Sequence, residues 1–262
     1  MNPKIYRLQN ALKLSGFDPG PLDGSNGPKT QAALAQWYVA ISKKPKGIDI
    51  SHYQPQVNWP QLAQHINFVI LRSSASTAKD KLFQAHRKGA KEVKLPWGCY
   101  HFFTPWQDPS KQAELVMSIL GDDRGDLPIV ADVEALAPKQ KKGQPAPKPV
   151  STSELVDKAG AFLEALEILS GRVPVFYTYS AFNTQHKLGK VFGKKYPLWI
   201  ADYRSGPPTV DPSWDQVIGH QYQGDLGRQE GVGEGKWPCD LNRLDISVEA
   251  FKALGLPCGS PS

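Results

Sequence analysis

The stretch Leu-Pro-Ile-Val-Ala-Asp-Val-Glu-Ala at residues 127–135 decides how this chain is interpreted. It has the apolar character of a buried strand, and side chains along a strand alternate between its two faces. Val130, Asp132 and Glu134 therefore share one face, and the apolar residues between them share the other. Two neighbouring carboxylates that are partly removed from water cannot both ionise easily, so one is a candidate general acid near neutral pH. The alternative is a pair of acids on a wet strand surface, because a D-x-E pattern alone is a weak signal.

Outward from this stretch, short apolar segments alternate with helical patterns from Gly47 onward. Such alternation predicts parallel strands joined by crossover helices. About eight strands over about 210 residues predict an α/β fold, an irregular (β/α) barrel. The predicted strands are 47–51, 67–74, 95–103, 127–135, 172–180, 197–203 and 217–223, and the predicted helices are 60–65, 81–91, 109–121, 152–170 and 248–254.

A small all-helical domain is predicted before the barrel. Apolar residues at helical spacing predict a helix over 4–15, a turn-rich loop follows, and Pro28 opens a second helix. We place this domain at residues 1–42, a linker at 43–46 and the barrel at 47–262.

The positive charge is concentrated at the start of the chain. Residues 1–46 carry seven lysines and arginines against two aspartates, which accounts for +5 of the net charge of +6. A basic domain beside a nearly neutral one suggests an anionic partner, either a cell-wall polymer or nucleic acid. A solvated basic face explains the charge equally well.

Two further acids join the pair if the barrel closes. Asp49 lies in the first predicted strand and Asp240 in the last strand region, and these two strands are neighbours in a closed barrel. Asp49, Asp132, Glu134 and Asp240 could then meet at the carboxyl ends of the strands, where barrel enzymes place their active sites. Each acid alone is more commonly a structural or solvated group, so the set carries the hypothesis.

Aromatic side chains accompany these acids at or near the strand ends. Rings with a polar handle suit the flat faces of sugars, and ordinary core packing is the alternative for each ring. Trp59 and Trp97 are predicted to be structural. The aromatics predicted to contact substrate are Tyr53, Tyr100, Phe102, Tyr177, Trp199, Tyr203 and Tyr222.

Composition argues against several other classes of protein. No run of about 18 apolar residues exists, so we expect no membrane insertion. Three cysteines are too few for a disulfide framework; Cys99 is predicted to be a buried thiol, and a Cys239–Cys258 bridge is left open. The six histidines show no paired ligand spacing, so we predict neither a metal nor a cofactor.

A Pro-rich insertion, Ala137–Val150, follows the 127–135 strand and contains four lysines. Loops at this end of a barrel strand surround the active-site mouth. The simpler interpretation is a disordered surface loop. The alternative is that its lysines attract carboxylates of the substrate.

The segments around the acids resemble glycoside hydrolase family 25, lysozymes that cleave between N-acetylmuramic acid and N-acetylglucosamine. The resemblance covers about residues 47–256. It implies an irregular α/β barrel without a metal and places Asp49, Asp132, Glu134 and Asp240 at the family's acidic positions. His101 and Gln221 lie in matching stretches and join the predicted substrate contacts. The matching stretches are GIDISHYQPQVNW (47–59), FVILRSSAS (68–76), WGCYHFF (97–103), PIVADVEA (128–135), PVFYTYS (174–180), PLWIADY (197–203), GHQYQ (219–223) and CDLNRL (239–244).

Residues 4–40 resemble the type 1 peptidoglycan-binding domain, a three-helix module. The similarity lies in LQNAL (8–12), GF (16–17), LDG (22–24) and GPKTQAAL (27–34). Two departures are Asn26, where an aromatic is common, and Trp37-Tyr38 in place of an aromatic-Gln pair. The resemblance implies bacterial peptidoglycan as the partner, with no role for nucleic acid, and we expect a monomer.

The resemblance implies a mechanism in which Glu134 protonates the leaving group and later activates water. Asp132 either attacks the anomeric carbon or orients the substrate's own N-acetyl group, and a D-x-E pair on one strand favours the second role. Asp49 and Asp240 would tune Glu134 and bind the sugar, and net retention of configuration is implied.

Three other functions compete with a lysozyme. They are a non-catalytic wall-binding protein on a glycosidase-like barrel, a metal-dependent wall amidase or peptidase, and a nucleic-acid-binding protein. The first 7 residues lack the apolar core of a secretory signal. We therefore expect a phage endolysin that passes from the host cytoplasm to the wall, or else a secreted bacterial autolysin with its leader removed.

Overall fold

The computed structural model describes residues 1–140, 142–143, 145–224, 226–235 and 237–254. Eight of its strands close into a barrel, because the first strand pairs with both the second and the last. The two-residue β3 pairs only with β2 and lies outside the ring. The strands are β1 (Lys46–Ile50), β2 (Phe68–Ala75), β3 (Ala78–Lys79), β4 (Trp97–Phe102), β5 (Ile129–Asp132), β6 (Val175–Tyr179), β7 (Leu198–Ala201), β8 (Val217–Gln223) and β9 (Asp240–Leu244).

The last strand runs against its neighbours. Around the ring from β1 to β8 every pairing is parallel, whereas β9 is antiparallel to both β8 and β1. The predicted parallel pairing is thus confirmed from β1 to β8 and does not extend to β9. A parallel strand needs a crossover connection, and the described part of the β8–β9 connection contains only a short 3-10 turn at Gly233–Gly235. As a result Asp240, the first residue of β9, pairs with Asp49 near the end of β1.

Most of the helices cover the outside of the barrel, and the first two form the N-terminal unit. The helices are α1 (Pro3–Leu14), α2 (Pro28–Ser42), α3 (Trp59–Leu62), α4 (Phe83–Glu92), α5 (Pro109–Leu120), α6 (Thr152–Ser170), α7 (Ser180–His186), α8 (Gly189–Phe192) and α9 (Val248–Leu254). The sequence did not predict α7 and α8, which are too short to establish a helical period. Within the described ranges, none of the helices combines the length and apolarity needed to span a membrane.

Side chains fix where the long helices begin. At α5 the Asp108 carboxylate accepts the Lys111 backbone N–H at 3.0 Å. At α6 the Ser151 hydroxyl accepts the Glu154 backbone N–H at 3.1 Å. Such caps satisfy backbone donors that have no partner inside the helix. These two helices pack against each other on the outside of the barrel.

The apolar core has two parts. One lies between the barrel and its helices and includes Phe103, Phe162 and Phe176, all fully buried. The other fills the barrel and includes Phe68, Trp199 and Phe251. Phe251 belongs to α9 and meets the rings of Phe68 and Trp199. The barrel is therefore packed at one end, and its open space is left at the other.

The N-terminal unit contains two helices, where the resemblance implied three. The helices α1 and α2 pack around Leu12, Ala33 and Trp37. The residues between them form a loop because glycines and prolines are frequent there. The buried Gln9 side chain holds this loop: its amide donates to Asp23 at 2.9 Å and accepts from the Gly24 N–H at 2.8 Å.

The N-terminal unit contacts the barrel at both of its ends. Leu8 lies against the β7–β8 connection, where a β-carbon on Gly206 would be 2.4 Å from the Leu8 Cδ1 atom. At the other end, the Arg243 guanidinium donates to the Ile41 carbonyl oxygen. Lys44 also forms an ion pair with Asp245.

Cys99 is fully buried, as the sequence predicted. Burial raises the pKa of its thiol to about 12, which keeps it protonated. The Cys239–Cys258 bridge left open by the sequence involves residue 258, which lies outside the described residues.

Candidate active site

A cavity of about 660 Å³ opens at the carboxyl ends of the parallel strands. Asp49, Asp132, Glu134 and Asp240 all line it. Asp240 can do so because the reversed direction of β9 puts the start of that strand at this end. The structure thus brings the four predicted acids into one space.

Asp132 and Glu134 face the cavity from the end of β5. The extended backbone continues past the strand, since the Val133 N–H donates to the Tyr177 carbonyl at 2.9 Å. Val130, Asp132 and Glu134 all line the cavity, whereas Val133 is buried in the outer core. The alternation read from the sequence therefore sets the direction of both carboxyl groups.

Asp132 is the deeper acid of the pair, with 7% of its surface exposed. Burial, and next the charge of Glu134, raise the pKa of Asp132 well above its usual range, while Arg72 acts in the opposite direction. Its Oδ1 atom is buried and has no hydrogen-bond partner among the described residues. This oxygen is therefore available to a donor on a ligand.

Asp49 is held at the base of the cavity by two amide side chains. Its Oδ2 atom accepts hydrogen bonds from Gln221 Nε2 at 2.8 Å and from Asn242 Nδ2 at 2.7 Å. Burial raises the pKa of Asp49, and the hydrogen bonds from Asn242, Gln221 and Asp240 counteract part of that rise. Asp49 and Asp240 are thus directly coupled across the β1–β9 pair.

The hydrogen-bond network continues from these amides to three aromatic side chains. Gln221 Oε1 accepts from the hydroxyls of Tyr177 at 2.8 Å and Tyr203 at 2.6 Å. Asn242 Oδ1 accepts from the Trp199 indole N–H at 3.1 Å. Because each amide oxygen is occupied, each amide nitrogen must point to Asp49, and the carboxylate orientation is fixed.

Arg72 is the one cation among the described residues that line the cavity. Its Nε donates to the fully buried Asp80 carboxylate at 2.8 Å. The guanidinium also lies 5.3 Å from the centre of the Tyr53 ring, within the range of a cation–π contact. Arg72 thus places a fixed positive charge beside an otherwise acidic cavity.

The sequence profile of glycosyl hydrolases family 25 matches residues 48–232, which are most of the chain and include the barrel from β1 to β8. This chain belongs to glycosyl hydrolases family 25. The family 25 barrel of this chain is therefore a lysozyme-type glycoside hydrolase.

Relatives support the assignment to family 25. Lysozyme M1 from Streptomyces globisporus is 25% identical over 248 residues, which are 92% of this chain and 77% of that protein. The crystal structure of the spore cortex lytic enzyme SleM from Clostridium perfringens is 30% identical with a TM-score of 0.66, over 79% of this chain and 69% of that one. A lysozyme structure from Streptomyces coelicolor, at 23% identity, shares the fold with a TM-score of 0.69 over 82% of this chain and 98% of that one.

The structure brings most of the predicted substrate contacts into the family 25 cavity. The residues that line it are Tyr53, Tyr100, Phe102, Tyr177, Trp199, Tyr203 and Gln221. Tyr177 and Tyr100 are deep in it, and burial raises the pKa of both hydroxyls well above their usual range. These hydroxyls therefore stay protonated and can donate hydrogen bonds.

Two predicted contacts, His101 and Tyr222, do not line the cavity. His101 is on the outer face of β4, where Ser74 contacts its Nδ1 at 2.8 Å and Gln112 contacts its Nε2 at 3.1 Å. Tyr222 is on the outer face of β8, and Arg243 lies 5.0 Å from its ring centre. Each of these two residues is next in sequence to a residue that faces the cavity. Because side chains alternate along a strand, its own side chain points outward.

Several residues that form or support the cavity were not predicted, and those with polar or aromatic side chains in this set include Arg72, Asn242 and Trp237. The strand alternation of FVILRSSA could have pointed Arg72 inward with Ile70, and that of DLNRL could have pointed Asn242 inward with Asp240. Trp237 lies in an irregular connection, for which no periodic signal exists. Among the described residues, no group of three or more His, Cys, Asp or Glu side chains is arranged to hold a metal ion.

Proposed function

We propose that this enzyme is a peptidoglycan hydrolase that cleaves the β-1,4 bond between N-acetylmuramic acid and N-acetylglucosamine. The proposal is supported by one observation above all: Asp132 and Glu134 project side by side into a cavity that Asp49 and Asp240 also line. Relatives named as lysozymes and muramidases agree with a wall glycan as substrate.

Glu134 is the proposed general acid and base. It lies beyond the end of β5 and is only half-buried, so it can reach a glycosidic oxygen in the open part of the cavity. It would protonate the leaving oxygen as the bond to the anomeric carbon breaks, and later remove a proton from the attacking water.

Asp132 is the proposed partner of the substrate's N-acetyl group. Its buried Oδ1 atom needs a donor, and an acetamido N–H is of the right kind. Without a ligand, burial favours the proton on Asp132. An N–H donated to this carboxylate favours its charged form, which leaves the proton of the coupled pair to Glu134. Binding of an N-acetylated sugar would therefore prepare the acid.

Asp49 and Asp240 complete the cavity on the opposite side. Their paired carboxyl groups are proposed to bind sugar hydroxyls, with Asp49 kept in place by Gln221 and Asn242. The negative field of these acids also disfavours ionisation of Asp132, since both raise its pKa. We propose that they tune the catalytic pair without exchanging protons with the substrate.

The helical unit at residues 1–42 is proposed to bind the wall polymer and keep the barrel, from 47 onward, on an insoluble substrate. Tethering raises the local concentration of substrate without adding a catalytic contact. We propose that the enzyme acts as a monomer on the cell wall, as a phage endolysin or a bacterial autolysin. An autolytic lysozyme from Clostridium acetobutylicum, 28% identical over 189 residues, is a relative of the second kind.

The Glu134→Gln variant tests the proposed activity. The amide keeps the shape of the side chain but cannot donate the proton, so we expect turnover to fall by about 10²–10⁴-fold, with the circular dichroism spectrum of the folded protein unchanged. Clearing of a wall suspension gives the rate, and mass spectrometry of the released fragments should show muramic acid at the reducing end. The matched control is Glu114→Gln, on the surface helix α5. A fully active E134Q enzyme, or fragments with glucosamine at the reducing end, would contradict the proposal.

A further inference from the structure

Trp237 is an aromatic ring at the cavity edge that the mechanism does not use. It lines the cavity together with the acids, yet 40% of its surface is exposed. A large apolar side chain left partly in water at the mouth of a binding cavity is typical of a ligand-contacting position. Tyr53 and Tyr203, at 63% and 56% exposure, share this location.

The connection that carries Trp237 holds its ring in place. Gly233 has a φ of +48°, and a β-carbon there would lie 1.6 Å from the Trp237 Cδ1 atom. Any side chain at position 233 would therefore displace the ring. The Gly233 N–H donates to the Gln56 carbonyl at 2.8 Å, which anchors this turn to the β1 side of the barrel.

The residues after Trp237 are fixed as well. Gln54 Nε2 donates to the Pro238 carbonyl at 2.7 Å, and the Cys239 N–H donates to the Gly227 carbonyl at 3.2 Å. Cys239 itself is buried. The ring thus stands between two anchored points, and a ligand that packs on it would have little side-chain freedom to remove.

Trp237 lies on the opposite side of the strand ring from the catalytic pair. It precedes β9, whereas Glu134 follows β5, and these strands are separated by three others on each side of the eight-stranded ring. A single sugar bound at the acids of β5 does not need to touch Trp237. A strand of several sugars that crosses the cavity mouth would reach it.

We propose, on the basis of the proposed function, that Trp237 binds an additional sugar of the glycan strand. The apolar face of that sugar packs on the Trp237 indole. The indole offers a broad flat surface with one polar edge, which matches a pyranose ring bearing C–H groups on its face and hydroxyls at its rim. Trp237 then selects for strand length and takes no part in bond cleavage.

The test compares full-length variants on soluble glycan strands without stem peptides, separated into long strands and the shortest fragment that is cleaved. For W237A we expect about a tenfold rise in KM on long strands, with kcat within about twofold and little change on the short fragment. W237F should behave like the unmodified enzyme. W237L keeps apolar packing on Gly233 without a flat ring and should behave like W237A.

Leu226→Ala is the matched control, because Leu226 is on the same β8–β9 connection, is 78% exposed and does not line the cavity. An unchanged KM for both W237A and W237L on long strands would overturn the assignment of Trp237, as would a fall in kcat with KM unchanged. If the unmodified enzyme cleaves no glycan at all, the proposed function fails and this inference fails with it. Cleavage by the unmodified enzyme with equal KM in all variants refutes the inference alone.

Discussion

The charged form of Asp132 lowers the free energy of unfolding, and replacing this residue can measure by how much. Its pKa is raised by burial and by the neighbouring carboxylates, so the folded protein holds this proton more tightly than the unfolded chain does. Above the unfolded value near 4, the folded state therefore loses stability as the pH rises toward the raised pKa. Asp132, which we propose acts in catalysis, therefore lowers the stability of the folded protein at neutral pH.

We expect Asp132→Asn to raise the unfolding temperature at pH 7, by about 2 °C or more if about 1 kcal/mol is recovered, and to leave it unchanged near pH 3.5. The reason is that the amide carries no charge to bury at either pH. Thermal unfolding followed by circular dichroism across this pH range measures the difference. Equal unfolding temperatures at pH 7 would show that Asp132 bears no such cost.

Asp202 provides a control of opposite sign. Burial alone would raise its pKa, but hydrogen bonds from Arg204 and from the Thr209 N–H lower it overall. Its charged form therefore stabilises the fold above the unfolded value near 4, and this stabilisation is lost as the pH falls through the lowered pKa. Asp202→Asn should accordingly lower the unfolding temperature at pH 7, with a smaller loss at acid pH.

At the scale of single residues, strand alternation predicted the direction of Asp132 and Glu134, and closure of the barrel predicted that Asp49 and Asp240 would join them. His101 and Tyr222 do not line the cavity, because the alternation was not applied to them: His101 was included for its stretch and Tyr222 as an aromatic near a strand end. Trp237 could not be predicted, because an irregular connection follows no period and its course depends on contacts with distant residues such as Gln54.

At the scale of elements, close packing between helices can make a substitution destabilising even where helix propensity favours it. Gly89 lies in α4, where Ala would be favoured by up to about 1 kcal/mol on helix propensity alone. A β-carbon there would, however, lie 2.0 Å from the Trp59 Nε1 atom. The ring would have to move, and overpacking of this kind costs about 1–3 kcal/mol.

We therefore expect Gly89→Ala to destabilise the protein by about 1–2 kcal/mol, measured by urea unfolding. Gly160 in α6 is the matched case, because its added β-carbon would meet only the Phe192 ring, at 3.8 Å. Gly160→Ala should stabilise by up to about 1 kcal/mol. The same sign for both substitutions would contradict the packing explanation.

Most helices and strands could be predicted because each has a long enough apolar pattern. For α6 the prediction agrees with the structure at both ends, 152 and 170, since a serine cap begins it and a glycine ends it. The helices α7 and α8 have 7 and 4 residues, less than the pattern needs. The reversal of β9 depends on the connection before it, whose conformation no local pattern specifies.

At the scale of the whole molecule, the proposed wall-binding role of the helical unit can be separated from catalysis. Lys46 begins β1 and Lys44 pairs with Asp245, so the cut that spares the barrel falls after residue 42. Without residues 1–42 we expect weaker sedimentation with insoluble walls but activity on soluble glycan strands within about twofold. Circular dichroism verifies that the shortened chain is folded. Equal sedimentation of both forms would contradict the wall-binding role.

The contacts at the two ends of the helical unit determine whether it can fold when it is moved to another protein. Its buried core is Leu12, Ala33 and Trp37, with a few partly buried apolar side chains around them, and a unit of about 40 residues with so small a core is at the limit of independent stability. Leu8 against the Gly206 connection and the Ile41–Arg243 hydrogen bond supply support that a foreign fusion partner would lack. We expect calorimetry of the intact enzyme to show one cooperative transition, and the excised segment, grafted onto another protein, to remain largely unstructured.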